Sequence, residues 1–292
     1  MDSLARLYPF APRRFDLGNG HAMSYLDEGE GPVIVMLHGN PTWSFFYRHL
    51  VVRLRDRYRL IVPDHLGCGF SDKPQEYRYR LVDHIDNLEK LLDHLGLERH
   101  ALMVHDWGGA IGYGYAERHP ERLTAQIILN TAAFRSRRMP LRIRLCRAPL
   151  LGKFLVRGLN AFAGAAVWMA VKKHLPTPVR KAYLAPYDSW ENRVALLRFI
   201  EDIPLDWRHP SWETLLRAEG TLCLFKDLPT LILWGGRDFC FNDHFFLEWK
   251  QRFPQARSIY LVNAGHYVLE DASAEAEQFL EGFLADYLRR CD

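Results

Sequence analysis

Short apolar runs recur along the chain at 33–37, 60–62, 101–104, 125–129, 231–234 and 258–262, and longer stretches with helical spacing lie between them. Strands alternating with helices predict a parallel sheet with crossover helices. Several runs end directly in polar or turn-forming residues. His38, Asp64, Asp106, Asn130 and the turn at 235–238 all fall in such places. The carboxyl ends of strands in an open α/β sheet form the ligand crevice, so these residues are the first candidates for chemistry.

The alternation breaks between about 134 and 225. There the pattern is mostly helical and is interrupted by Pro140, Pro149, Pro176, Pro178, Pro186 and Pro204. This predicts a helical cap at 134–225 inserted into a core made of residues 1–133 and 226–292. With 292 residues, 48% of them hydrophobic, the chain has enough apolar material for a substantial core. The apolar run at 161–171 is too short to span a bilayer. The first residues are not followed by an apolar stretch of the signal type, so export is not expected. Five cysteines, an odd number with no CxxC pair, point to free thiols and a cytoplasmic location.

A net charge of +3 gives no reason to expect nucleic acid as a partner, but the charge is unevenly spread. From 122 to 187 there is no Asp or Glu among thirteen Lys or Arg, eight of which fall between 135 and 157. One reading is a solvated basic surface. The other is a patch facing anionic lipid, a negatively charged carrier or an acidic protein. The interleaved Leu141, Ile143, Leu145, Leu150, Leu151, Phe154 and Leu155 could turn an apolar face toward a substrate or a lipid surface.

The stretch Val104-His105-Asp106-Trp107-Gly108-Gly109 places a carboxylate where a strand turns into a helix, the position of the nucleophile in α/β-type hydrolases. A carboxylate there also suits a helix cap. As a nucleophile it would attack an sp3 carbon and leave a covalent ester. Burial would raise its pKa, and the amides at the start of the helix would oppose that shift. Hydrolysis of the ester would then require a base. His266 follows the last strand and comes after the candidate acid in the chain order nucleophile, acid, histidine. Asp238, in the turn after the 231–234 run, is the acid expected to orient it, with Asp243 as the fallback. Asp227 precedes that strand, and Glu270 and Asp271 are read as the start of the final helix. Asn130 and Thr131 occupy the alternative acid position, and neither can act as an ionised acid. The side-chain amide of Asn40 and the indole of Trp107 could converge as two neutral donors above Asp106, which suits a departing anion. The histidines and cysteines show no metal-ligand spacing, so no metal or organic cofactor is expected.

The His38-Gly39-Asn40-Pro41 loop, the His105 to Gly109 elbow, Asp238 and His266 together resemble the haloalkane dehalogenase branch of the α/β hydrolases over nearly the whole chain. The stretches at 62–69, 71–74, 129–134, 185–190 and 264–271 are similar to the β-lactone decarboxylases of bacterial long-chain olefin biosynthesis, which overlap with the third dehalogenase subfamily. The resemblance implies Asp106 as nucleophile, His266 as base, Asp238 as its partner, and Asn40 with Trp107 as the anion-binding pair. It also implies a cis-3,4-dialkyl-β-lactone as substrate, a cis-alkene and carbon dioxide as products, and a multienzyme olefin assembly as partner. Attack at the ring carbon and attack at the lactone carbonyl both remain open. Hydrolytic dehalogenation needs the same five residues. Epoxide hydrolysis would call on cap tyrosines such as Tyr183 and Tyr187. The lack of a GxSxG elbow argues against a serine esterase, and the intact set argues against a non-catalytic ligand receptor.

Overall fold

The computed structural model describes residues 2–18 and 20–288. Among them, eight strands form one sheet: β1 (Arg13–Asp16), β2 (Ala22–Glu28), β3 (Val33–Leu37), β4 (Arg59–Pro63), β5 (His100–Asp106), β6 (Leu123–Thr131), β7 (Thr230–Gly235) and β8 (Arg257–Leu261). Their order is β1-β2-β4-β3-β5-β6-β7-β8. β1 pairs antiparallel with β2 and β2 antiparallel with β4, while the other pairings are parallel. This is the mostly parallel sheet of an α/β-hydrolase fold. Side chains alternate across it, with Ile34, Met36, Ala101 and Met103 entering one core and Val35, Leu37, Leu102 and Val104 the other. Helices cover both faces, so the central strands read as continuous apolar runs.

The six runs found in the sequence all lie in or overlap strands. β1 and β2 are additional. β1 reads Arg-Arg-Phe-Asp and has three exposed positions, so it carries no hydrophobic signature. Backbone pairing with β2 holds it at the edge of the sheet, and that contribution is independent of side-chain type.

A helical cap lies between β6 and β7. It contains the helices Leu141–Arg147, Ala161–Met169, Thr177–Leu184, Val194–Glu201 and Trp212–Thr221, and a π-type turn at Lys153–Gly158. Pro140 and Pro176 directly precede two of these helices, where a fixed φ is tolerated and no intrahelical donor is lost. No helix among the described residues is long and apolar enough to cross a membrane. Cys68, Cys146, Cys223 and Cys240 are free thiols, and Cys291 lies outside the described residues.

Glu270 and Asp271 correct one expectation. They end a separate four-residue helix, Val268–Asp271, and the final helix is Ser273–Leu288. Both carboxylates are used to seat the cap. Asp271 accepts the backbone amides of Gly265, Lys172 and Lys173 at 2.7–2.9 Å. Glu270 takes both terminal nitrogens of Arg48, at 2.5 and 2.9 Å, and the hydroxyl of Tyr183 from the cap. The Arg48 and Glu270 side chains are only 2% and 7% exposed, so losing one partner leaves a charge buried without compensation. Glu270→Ala is expected to lower the unfolding free energy by about 3–5 kcal/mol in urea denaturation. A loss below about 1 kcal/mol would mean that Arg48 reaches water or another acceptor.

Candidate active site

β5 ends at Asp106, whose φ of 51° and ψ of −124° are unusual for a residue with a Cβ. Strain of this kind is of order 1–3 kcal/mol and persists where the surroundings over-determine it. Here the helix Trp107–Arg118 starts at the next residue, and the Thr131 hydroxyl donates to the Asp106 carbonyl. Gly108 packs on the Leu37 carbonyl, and Gly39 packs on the Asp106 side chain itself. A Cβ at either position would overlap its neighbour. The elbow thereby projects the carboxylate into the crevice above the sheet.

Asp106 Oδ1 accepts the Asn40 backbone amide at 2.7 Å, and the carboxylate also accepts the backbone amide of Trp107. Oδ2 lies 3.5 Å from His266 Nε2. Burial raises the Asp106 pKa, while the His266 charge and the two amides oppose the rise. Oδ1 is therefore held by a fixed backbone donor, and Oδ2 faces the imidazole.

His266 sits in the loop after β8. Its Nδ1–H donates to Asp238 Oδ2 at 2.7 Å, which leaves Nε2 facing Asp106. Asp238 is fixed in turn by the amides of Cys240 and Phe241, which reach Oδ1 at 2.6 and 3.1 Å. Burial acts to lower the His266 pKa, but the charge and hydrogen bond of Asp238, followed by the charge of Asp106, outweigh it and raise the pKa above its ordinary 6.5. His105 Nε2–H donates to the His266 carbonyl at 2.9 Å and anchors the backbone of the loop.

The other acids lie elsewhere. Asp243 begins the helix Asp243–Arg252 and accepts the Tyr260 hydroxyl at 2.5 Å, and Asp227 lies in the turn before β7. The turn bearing Asp238 is held by a residue that the sequence reading set aside. Asn130 Nδ2 donates to the Gly235 carbonyl at 3.0 Å, and Asn130 Oδ1 accepts the Gly235 amide at 2.8 Å. This reciprocal pair ties the end of β6 to the end of β7, next to the Asp238 turn. Its sequence signal is an amide at a strand end, where both a donor and an acceptor are needed.

The Asn40 loop follows β3. His38 supports it, donating from Nδ1 to the Gly39 carbonyl at 2.7 Å and accepting the His65 amide on Nε2 at 3.0 Å. The Asn40 side-chain amide does not point wholly at the crevice. One of its two hydrogens goes to the Leu196 carbonyl of the cap, at 3.0 Å. The cap thus orients the amide of Asn40.

Asn40, Asp106, Trp107 and His266 line a largely apolar cavity of about 390 Å3 together with cap residues including Phe162, Ala166, Met169 and Ile200. Tyr183 and Tyr187 are not among the lining residues. Tyr183 donates to Glu270, and Tyr187 donates to the Thr42 carbonyl at 3.3 Å, so neither is presented as an acid to an opened epoxide. Among the described residues no group of three or more His, Cys, Asp or Glu could hold a metal ion.

A carboxylate on a strand-to-helix elbow, an imidazole facing it, and cap helices lining an apolar cavity with them define the protein's class as an α/β hydrolase. The alpha/beta hydrolase fold model matches residues 32–273. A cis-3-alkyl-4-alkyloxetan-2-one decarboxylase of Shewanella oneidensis is 45% identical over 290 residues, covering 97% of this chain and 91% of that relative. Haloalkane dehalogenase 2 of Mycobacterium tuberculosis is 33% identical, covering 91% and 92%. In fold, the chain matches haloalkane dehalogenase DbeA from Bradyrhizobium elkani with a TM-score of 0.89 over 96% of this chain and 99% of that one, at 24% identity. The chain belongs to the haloalkane dehalogenase-like α/β hydrolases, in the family of the cis-3-alkyl-4-alkyloxetan-2-one decarboxylases.

Proposed function

We propose that this protein decarboxylates a cis-3,4-dialkyl-β-lactone to a cis-alkene, with Asp106 as nucleophile. The observation that carries the reading is the Asp106 carboxylate lining an apolar cavity, with Oδ1 held by the Asn40 backbone amide and Oδ2 facing His266. The nearly full-length 45% identity to a lactone decarboxylase supports the lactone over a haloalkane as the electrophile.

Stereochemistry supports attack at the ring carbon that bears oxygen. Asp106 Oδ2 bonds to that carbon from the side opposite the ring oxygen. The ring C–O bond breaks, and its electron pair leaves with a carboxylate that remains attached to the neighbouring carbon. Inversion sets the new ester oxygen antiperiplanar to the bond holding this carboxylate, with the two alkyl groups on the same side. That bond then breaks, its pair forms the double bond, carbon dioxide departs, and Asp106 leaves as a carboxylate. A cis-lactone thereby gives a cis-alkene without bond rotation, and no water or proton is consumed. Attack at the carbonyl would instead leave an alkoxide on the carbon that must lose oxygen.

The remaining side chains take roles consistent with this sequence. Asn40 Nδ2 and the Trp107 indole receive the carboxylate released by ring opening, while the Asn40 backbone amide at Oδ1 polarises the ester and stabilises Asp106 as it departs. His266, held by Asp238, supplies local electrostatics, and would direct water only in a hydrolytic side reaction. The long alkyl groups lie in the apolar cavity, each buried methylene contributing about 0.8 kcal/mol. Two finer parts of the reading rest on the acid-free basic stretch of the cap: contact with a partner enzyme in an olefin-forming assembly, and contact with a membrane surface.

Purified protein given a long-chain cis-3,4-dialkyl-β-lactone should release cis-alkene and carbon dioxide in equal amounts, and should release little halide from a haloalkane panel. Fast halide release with the lactone untouched would reassign the protein to hydrolytic dehalogenation. The raised His266 pKa also fixes the sign of a pH effect. Imidazolium beside Oδ2 pairs with Asp106 and weakens its attack, so kcat/KM should fall as pH drops through a midpoint above 6.5. Asp238→Asn removes the largest influence that raises this pKa and should move the midpoint down. A midpoint that ignores Asp238 would exclude His266 as the titrating group.

A further inference from the structure

We infer that the outer face of the cap around residues 137–168 is a docking surface for anionic lipid, which brings the mouth of the substrate cavity to the bilayer. The apolar residues interleaved with arginine in this stretch divide between two faces. Ile143 and Cys146 point inward and line the cavity with Asp106 and His266. Leu141, Leu145, Leu151, Phe154 and Trp168 face outward, and each is at least 45% exposed. Leu150 is 85% exposed, and its φ of 60° is a left-handed conformation that leucine rarely adopts. The backbone thus holds a leucine out in water at the tip of the turn between two cap elements.

Charge complements this apolar surface. Arg137, Arg138, Arg142, Arg144 and Lys153 are exposed, and none forms an ion pair among the described residues. The stretch from 122 to 187 supplies no acid to neutralise them. Arg157 and Lys153 lie over the Trp190 ring, and Arg180 lies over Trp168 at 4.1 Å, so basic heads accompany aromatic rings as they do at membrane interfaces. Protruding aliphatic side chains ringed by unpaired cations match an anionic bilayer, which accepts apolar groups below a negatively charged surface.

The cavity meets this face. Arg138 and Arg142 are exposed and also line the cavity that ends at Asp106. A dialkyl substrate dissolved in lipid could therefore enter between them without crossing water. The inference relies on the lactone reading only for what enters, because lipid binding is measured without turnover.

The test is sedimentation of the full chain with vesicles of phosphatidylcholine alone and of phosphatidylcholine with phosphatidylglycerol, at low and high salt. The protein should partition onto the anionic vesicles, lose that binding in high salt, and ignore the neutral ones. Each basic residue near an anionic surface contributes about fivefold in partition, so Arg137→Glu with Arg144→Glu should cost at least about twenty-fivefold. Leu150→Ser with Phe154→Ser removes two inserting side chains and should cost about a hundredfold. Unchanged thermal melting of both double variants shows that the loss belongs to the surface. If the protein ignores anionic vesicles, or both variants bind them as tightly as the parent, the inference fails and the face is left to an acidic protein partner.

Discussion

Asp106→Asn lowers alkene formation by about 10^4-fold or more, the scale seen when a catalytic nucleophile is removed. The carboxamide has nearly the same shape as the carboxylate, so the elbow and the cavity should survive. Its oxygen can still accept the Asn40 amide that now reaches Oδ1. What it lacks is a second anionic oxygen able to attack a ring carbon and later leave as a stable carboxylate. The measurement is alkene production by gas chromatography, paired with binding of an unreactive dialkyl cyclobutanone followed by calorimetry. Binding should persist while turnover disappears. Alkene production within tenfold of the parent would mean that the carbon is not attacked by Asp106, and would favour a scaffold that merely binds the lactone while it fragments.

His266→Gln separates the two chemistries that share this site. In haloalkane hydrolysis the alkyl ester on Asp106 needs a base to direct water, and general-base catalysis contributes about 10^2–10^4-fold. The variant should therefore accumulate the ester when given a haloalkane, visible as added mass on intact protein. In lactone decarboxylation the second step consumes no water, and the ester carries its own electron source in the neighbouring carboxylate. The variant should keep alkene formation within about a hundredfold of the parent, with no lasting adduct. Loss of the imidazole also leaves Asp238 without the hydrogen bond it now receives and loosens the turn beside the site, which accounts for a partial decline. An ester with the mass of the whole lactone, persisting on His266→Gln, would show that release requires water and would overturn the elimination step.

The candidate residues were legible because each sits in a short local pattern. Asp106, Trp107 and the adjacent glycines form an elbow whose steric demands show in five consecutive positions. Asn40, Asp238 and His266 follow strands that are themselves readable as apolar runs. The contacts made by Asn130, Glu270 and Asp271 had no comparable signature. Asn130 is an amide on a strand end until Gly235, 105 residues away, is seen to need both of its polar atoms. Glu270 looks like a helix starter until a cap tyrosine and a buried arginine converge on it. The Leu196 carbonyl that holds Asn40 could not be anticipated from side-chain identity, because every residue has such a carbonyl.

The amino-acid sequence by itself determined the parallel part of the sheet, the presence of an inserted helical segment, and the choice of a carboxylate over a hydroxyl at the elbow. These follow from periodicity, proline placement and local sterics, all of which act over a few residues. Tertiary structure alone decided that Tyr183 and Tyr187 turn away from the cavity, that Asn40 shares its amide with the cap, and that the basic stretch buries Ile143 while exposing Leu150. These outcomes depend on which distant segments compete for the same donors, acceptors and apolar surface, and that competition is settled only when the chain is packed.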